Sequence, residues 1–446
     1  MKKLLLLTTL VLGIAAKAQY IDLHDFILNN DSGYSSLTIS GNTIYGSSRD
    51  INLPSGGFIY SMKTNGTGFT HICDSVHACG SLLLNNGILY GMGGGRIYKL
   101  DTNGIGFTTL HIFTGTSTDG GTEQSSLILS GNVLYGMTRR GGANGNTMGG
   151  NGYGVIFSIQ TNGSNFTILY NFTALANYPY GSLTLVGGIL YGMTSGTAIG
   201  NGNIFSINTN GTNYTNLYSF GTIDAPNGSL ITNGNTLFGL TKFGGTNGKG
   251  NIFKIKIDGT GYQNLYNCNN YPYGSLTLVG GVLYGMTANN LFSIDTNGVG
   301  YTWYNSPMYG QIGTPSLMDR NSNLTLNNGL LYGQTNSSSG PPSNGIIFSF
   351  TPTSLTSIND LANLENSFTL YPNPSNGSLI MTFSGILNNN EYILNITNVI
   401  GKVVYSLPFR QQQNEIDLSN LNKGIYFLSL LNKENSMVEV KKIVLQ

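Results

Sequence analysis

The chain has 446 residues, enough for one large repeat domain or for several smaller ones. Only 9% of residues are charged and the formal net charge is +1, with no basic stripe and no acidic tail; that excludes a nucleic-acid binder working by phosphate neutralisation. Glycine occurs 63 times and the aromatics are mainly Tyr and Phe, and turn residues alternating with aliphatic–aromatic pairs describe an all-β chain.

Residues 1–18 read as a signal peptide. Lys2 and Lys3 precede an apolar run from Leu4 to Ala16, too short to span a bilayer comfortably, and Ala16-Lys17-Ala18 fits the small-x-small cleavage rule. Cleavage before Gln19 would leave a mature charge of −2. No later segment is apolar enough for a transmembrane helix.

From there the chain repeats. Ile44-Tyr-Gly46, Leu89-Tyr-Gly91, Leu134-Tyr-Gly136, Leu190-Tyr-Gly192, Leu237-Phe-Gly239, Leu283-Tyr-Gly285 and Leu331-Tyr-Gly333 recur 45 to 56 residues apart. Such a period marks units that bury their apolar faces only by packing on one another. Within residues 182–220, Ser182–Val186 (strand a), Ile189–Thr194 (b), Asn203–Ile207 (c) and Tyr214–Phe220 (d) alternate like strands. Gly187-Gly188 joins a to b, and Thr209-Asn-Gly211 joins c to d as a primed turn. Four antiparallel strands per repeat describe a propeller blade. The last repeat stops after its c strand at Phe350. Tyr20-Ile-Asp-Leu-His-Asp-Phe26 looks like the d strand Tyr214–Phe220, so the first strand is expected to complete the last blade. The fold class is thus an all-β, seven-bladed β-propeller over 19–350, closed by its N-terminal strand. The glycine after each aromatic reads as room for a neighbouring blade's ring.

Binding on such a scaffold belongs to its variable loops. In this strand order the b–c and d–a connections share one face. The longest b–c loop, Thr138 to Gly154, holds Arg139, Arg140 and Tyr153, and two d–a connections carry Tyr178-Pro-Tyr180 and Tyr271-Pro-Tyr273. Tyr and Asn on a concave face suit a glycan or another neutral polar ligand; the alternatives are that the tyrosines anchor blades to one another and that the arginines are solvated loop charges.

Chemistry has little support. His24, His71, His77 and His111 are scattered, three of them on expected d strands, and only Cys73, Asp74, His77 and Cys79 lie close in sequence, so no metal and no cofactor are expected. Asp101-Thr-Asn-Gly is a turn rather than a calcium loop, since few repeats carry a carboxylate there. Acidic residues are too sparse for a recognisable glycosidase pair. Cys73 and Cys79 could close a small disulfide loop or remain thiols; Cys268 has no evident partner.

After Phe350 the repeat signature ends. Residues 351–366 read as a linker, and 367–446 as short strands forming a small β-sandwich. This last segment resembles the type A C-terminal sorting domain of type IX secretion through Tyr371, Pro372, Asn373 and Pro374 with Gly377, Gly401-Lys402, Gly424-Ile-Tyr426 and the closing Lys441-Lys442-Ile-Val. The resemblance implies passage across a Gram-negative outer membrane by the type IX machinery, removal of the domain, and release or anchoring at the cell surface. The recurring SLTL, LYGMT and IFSI phrases make residues 30–350 similar to the GloVer tandem-repeat family, which implies the fold and no activity. The expectation is a secreted or surface-displayed monomer that binds, with carbohydrate or another cell-surface polymer as first ligand class. The alternatives are a polysaccharide-acting enzyme with its site in the propeller channel and a purely structural surface repeat protein.

Overall fold

Period-2 apolar patterning and glycine-containing turns produce only strands, turns and bends among the described residues of the computed structural model. The structure describes residues 20–26, 31–33, 35–50, 57–74, 76, 79–123, 125–144, 152–174, 176–197, 200–221, 224–287, 290–305, 323–335, 345–352, 368–383, 392–398, 403–409, 413–431 and 437–446. The expected signal peptide and linker therefore lie outside them, apart from Thr351 and Pro352. None of these residues forms a helix long and apolar enough to cross a membrane. The chain divides into two compact units, one covering Ala18–Pro352 and the other containing Thr353–Gln446.

In the first unit the described residues form seven antiparallel sheets in the order a–b–c–d. The fourth runs Pro179–Val186, Ile189–Thr197, Gly200–Asn208, Thr215–Ser219; the fifth Pro226–Asn233, Thr236–Thr241, Asn251–Lys256, Gln263–Asn267; the sixth Pro272–Val279, Val282–Thr287, Asn290–Asp295, Thr302–Asn305. In the seventh, Thr325–Asn327, Leu330–Gln334 and Ile346–Phe350 are completed by Tyr20–Asp25, whose Tyr20 lies opposite Phe350 and Asp25 opposite Ile346. The N-terminal strand thus docks where the sequence places it.

A chain of hydrogen bonds links the inner strands. The backbone N–H of Ser36 donates to Ser81 Oγ, Ser81 to Ser126, Ser126 to Ser182, Ser182 to Ser229, Ser229 to Ser275, Ser275 to Asn323 Oδ1, and Asn323 back to Ser36, at 2.6–3.2 Å. The circuit returns to its start, as a closed β-propeller requires and an open stack of sheets does not. Between sheets the core is apolar: Tyr191, Met193 and Ile204 of the fourth pack with Leu237, Phe253 and Ile255 of the fifth. Each buried side chain of this kind contributes about 1.5–3 kcal/mol.

Two local expectations need correction. The invariant strand-b glycine makes room for a ring of its own sheet, not of a neighbouring blade. Gly192 lies opposite Phe205 in the adjacent c strand, and a Cβ on Gly192 would sit 2.5 Å from Phe205 Cζ. The same pairing joins Gly46 to Tyr60, Gly91 to Tyr98 and Gly333 to Phe348, because large c-strand rings lie flat across the b strand. The c–d turns are also not of the primed type. Gly66 alone takes a positive φ (+90°), its N–H bonds to Lys63 O, and Lys63 N–H bonds to Thr67 O, a type I turn with a glycine bulge. The asparagine acts through its side chain instead: Asn65 Oδ1 accepts from Thr67 N at 3.1 Å.

The C-terminal unit has two antiparallel sheets. Phe368–Tyr371, Ser378–Phe383 and Gln413–Asp417 make one; Val403–Phe409, Tyr392–Asn398, Gly424–Leu431 and Met437–Leu445 make the other. They share a core of Leu379, Met381, Leu394, Ile396, Ile416, Leu428 and Ile443, which is the expected sandwich.

Candidate functional site

The expected site residues divide between two places on the face carrying the d–a and b–c connections. At the first, Arg139 and Arg140 lie not in a loop but on the strand Val133–Gly141, because Gly120–Glu123 pairs alongside and prolongs it. The Arg139 guanidinium stands 5.2 Å from the ring centroids of both Tyr178 and Tyr180, which lead into the next sheet. Tyr180 is buried, and Tyr178 adopts φ +53° with its N–H on Tyr153 O at 3.3 Å. A cation held between two rings of the neighbouring sheet fastens the sheets together, at about 0.5–2 kcal/mol. The Nε atoms of both arginines are buried without a hydrogen-bond partner.

The second place repeats this relation between the fifth and sixth sheets. Lys242, three residues after Gly239 as Arg139 is after Gly136, puts its Nζ 4.8 Å from the Tyr273 ring. Lys249 Nζ lies 4.2 Å over Tyr271, whose ring meets Phe243 edge-on at 5.5 Å. Phe243 is 41% exposed, so this cluster reaches solvent where Tyr180 does not.

Beside it opens a cleft of about 530 Å³ that sequence reasoning missed. Tyr266 and Tyr301 line it, stacked with ring centroids 3.8 Å apart. Burial pushes both phenols above their usual pKa, so both stay neutral. Asn269 and Asn270 of the d–a connection line another part, with Asn269 Oδ1 accepting from Asn247 Nδ2 at 3.0 Å. Thr287 and Asn290, from the ends of strands b and c, complete the polar lining, and Asn290 Oδ1 is buried without a hydrogen-bond partner. Trp303, the chain's single tryptophan, borders the cleft and is 57% exposed. Among the described residues no charged side chain lines it.

The outer strand that carries Trp303 lacks a residue present in the other six. Six outer strands carry a bulge, at Leu23, Ile72, Leu110, Leu169, Leu217 and Leu265. On each bulge sits the c–d turn glycine of the following sheet: Gly66 on Leu23, Gly104 on Ile72, Gly163 on Leu110, Gly211 on Leu169, Gly259 on Leu217 and Gly298 on Leu265. The seventh sheet has no c–d turn, since its d strand comes from the N terminus. The sixth outer strand correspondingly is one residue shorter and has no bulge, pairing Phe292 with Trp303 directly. The signal was present in the sequence as Tyr301-Thr-Trp-Tyr-Asn305 set against Tyr262-Gln-Asn-Leu-Tyr-Asn267.

The remaining expectations fall elsewhere. His24, His71 and His111 do lie on d strands, and His111 Nε2 contacts Asp119 Oδ1 at 3.0 Å. His77 lies outside the described residues, among which no group of three or more His, Cys, Asp or Glu is placed to hold a metal. The structure holds Cys73 and Cys79 as thiols, without the disulfide that their spacing allows, and buries Cys268, raising its pKa to about 12. In the C-terminal unit, Asn373 Oδ1 accepts from Val444 N at 2.9 Å, Gly377 (φ +115°) abuts Ser419, and the Tyr426 hydroxyl donates to Asn422 O at 2.8 Å. The motif therefore staples the unit's first turn to its last strand. Gly401 and Lys402 lie outside the described residues.

Comparison with known proteins agrees with this division. Residues 146–310 match the Gloeobacter/Verrucomicrobia repeat, and residues 369–446 match the secretion system C-terminal sorting domain. No curated protein matches the sequence. Among solved structures, PorZ, a surface component of the type-IX secretion system of Porphyromonas gingivalis, is 11% identical, with TM-score 0.45, over 93% of this chain. The chain spans only 59% of PorZ. An oligogalacturonate lyase in complex with manganese is 12% identical, with TM-score 0.57, over 76% of this chain and 95% of the lyase. The oligogalacturonate lyase of Vibrio parahaemolyticus is 9% identical, with TM-score 0.50, over 75% and 94%. At such identities the two lyases share the fold alone. The chain is accordingly an exported β-propeller containing Gloeobacter/Verrucomicrobia repeats, with a C-terminal sorting domain that marks it as type IX secretion cargo bound for the cell surface or for release.

Proposed function

We propose that the propeller is a binding module that holds carbohydrate at or beyond the cell surface, and that it binds without catalysing. The observation that carries this reading is the solvent-reaching cluster of Phe243, Tyr271 and Lys249, set among the asparagines of the adjoining connections. Aromatic faces accept the C–H faces of sugar rings, and amides pair with hydroxyls in both donor and acceptor roles. A site of this composition supplies orientation but no evident acid, base or nucleophile.

The test is a glycan array probed with the full mature chain, alongside incubation of each bound glycan with the protein and analysis of the products. Saturable binding with unchanged glycans is expected. Turnover of a bound glycan would replace this reading with the polysaccharide-enzyme alternative. Absence of binding to every glycan would leave the protein as a structural surface module and end the proposal.

A further inference from the structure

The cleft beside Trp303 differs from every other outer-strand position in the ring. The residue opposite the c-strand aromatic is Asp22, His71, Thr109, Ile168, Asn216 or Asn264 elsewhere, and Trp303 here. Trp303 is 57% exposed and stands at the margin of a cavity whose volume falls within the range of small-ligand sites, about 300–1,000 Å³. The lining is uncharged. Its polar groups are three amides, the hydroxyls of Thr287, Tyr266 and Tyr301 and the Trp303 indole N–H, and Asn290 Oδ1 is buried with its acceptor capacity unused. A buried acceptor without a partner is costly, and a ligand hydroxyl relieves it.

We propose that this cleft between the fifth and sixth sheets is a binding site for a short stretch of neutral oligosaccharide. Trp303 is its stacking platform, and Asn290, Asn269 and Asn270 receive the ring hydroxyls. This rests on the carbohydrate reading above and gives it a place and a charge class. Among the described residues no cation lines the cleft, which disfavours uronates, whose carboxylates would enter it unpaired; the nearest cation named here, Lys249, is engaged with the Tyr271 ring.

Because Trp303 is the only tryptophan, its emission reports on this cleft alone. The experiment titrates the full mature chain with neutral xylo-, cello-, manno- and laminari-oligosaccharides and with an oligogalacturonide, following tryptophan emission and acrylamide quenching, with calorimetry in parallel. A neutral oligosaccharide is expected to shift the emission and protect it from acrylamide. Trp303→Ala should lower calorimetric affinity about tenfold or more, and Trp303→Phe should restore most of it. The side chain is mostly in solvent, so both variants fold, which a thermal melt verifies. Array binding by the wild type with unchanged tryptophan emission and full affinity in Trp303→Ala overturns the cleft assignment and leaves the carbohydrate reading standing. Preference for the oligogalacturonide overturns the neutral class. No binding in either experiment overturns both.

Discussion

The Tyr60 hydroxyl donates a 2.6 Å hydrogen bond to Gln334 Oε1, joining two residues 274 positions apart in the chain. Gln334 follows the glycine of the seventh sheet, where four other repeats have Met92, Met137, Met193 and Met286. At the seam, the repeat's apolar packing is replaced by a buried polar contact, and Gln334 also donates to Ser35 O.

Tyr60→Phe should therefore destabilise the propeller by about 1–3 kcal/mol, since it strands the buried Gln334 carbonyl. Adding Gln334→Met recreates the repeat's usual apolar pair and should recover part of that loss. A denaturant melt of the two singles and the double checks it; strictly additive losses would refute a shared polar contact.

Gly192→Ala forces a methyl into the Phe205 ring and should cost about 1–3 kcal/mol by overpacking. Phe205→Leu in the same chain should relieve the clash while adding a cavity cost, so the pair couples favourably. Thermal melts of the cycle measure it, and no coupling would mean that the glycine serves some other purpose.

Deleting residues 20–26 removes the outer strand of the seventh sheet and strips Phe348 and Phe350 of the Tyr20 ring, which lies 5.6 and 4.9 Å from theirs. The melting transition should fall far more than after trimming a tail, and proteolysis should begin at Ile346–Phe350. An unaltered transition would contradict closure by the first strand.

Stacked tyrosine pairs bridge successive sheets: Tyr170 with Tyr214, Tyr218 with Tyr262, and Tyr266 with Tyr301, at 3.7–3.9 Å. Burial is the main cause that raises the pKa of Tyr214, Tyr262 and Tyr301. Raised folded-state values mean that the unfolded chain releases these protons first. Their stabilisation is full below the ordinary phenol value of about 10 and is lost as pH rises beyond it. Stability should begin to decline near the ordinary thiol value of about 9, where the unfolded chain ionises Cys268, and fall more steeply above pH 10 as the phenols follow. Tyr262→Phe should flatten that decline while lowering neutral stability slightly; an unchanged alkaline slope would show that Tyr262 is not among the groups responsible.

Removing residues 367–446 should leave the protein in the periplasm of a type IX-competent host, with the propeller's melting transition intact. Cell-surface labelling and fractionation check it, and undiminished surface delivery would place the sorting signal elsewhere.

Much of this molecule was written in the repeat itself. Period-2 strands, Asn-Gly turns and the kinship of Tyr20–Phe26 to the other outer strands specified an all-β ring and how it closes, because these are local patterns that recur. The sorting domain was equally legible, its Tyr371–Pro374 and Gly377 occurring in order with Gly424 and Tyr426. What a repeat cannot announce is which partner fills the space beside it. The ring under Gly192 belongs to Phe205 of the same sheet, and Arg139 is held by Tyr178 and Tyr180 of the next one. Trp303 pairs directly with Phe292 in a strand without the bulge on which the following sheet's turn is seated elsewhere. Those outcomes depend on distances between strands far apart in sequence, which only closure of the ring sets.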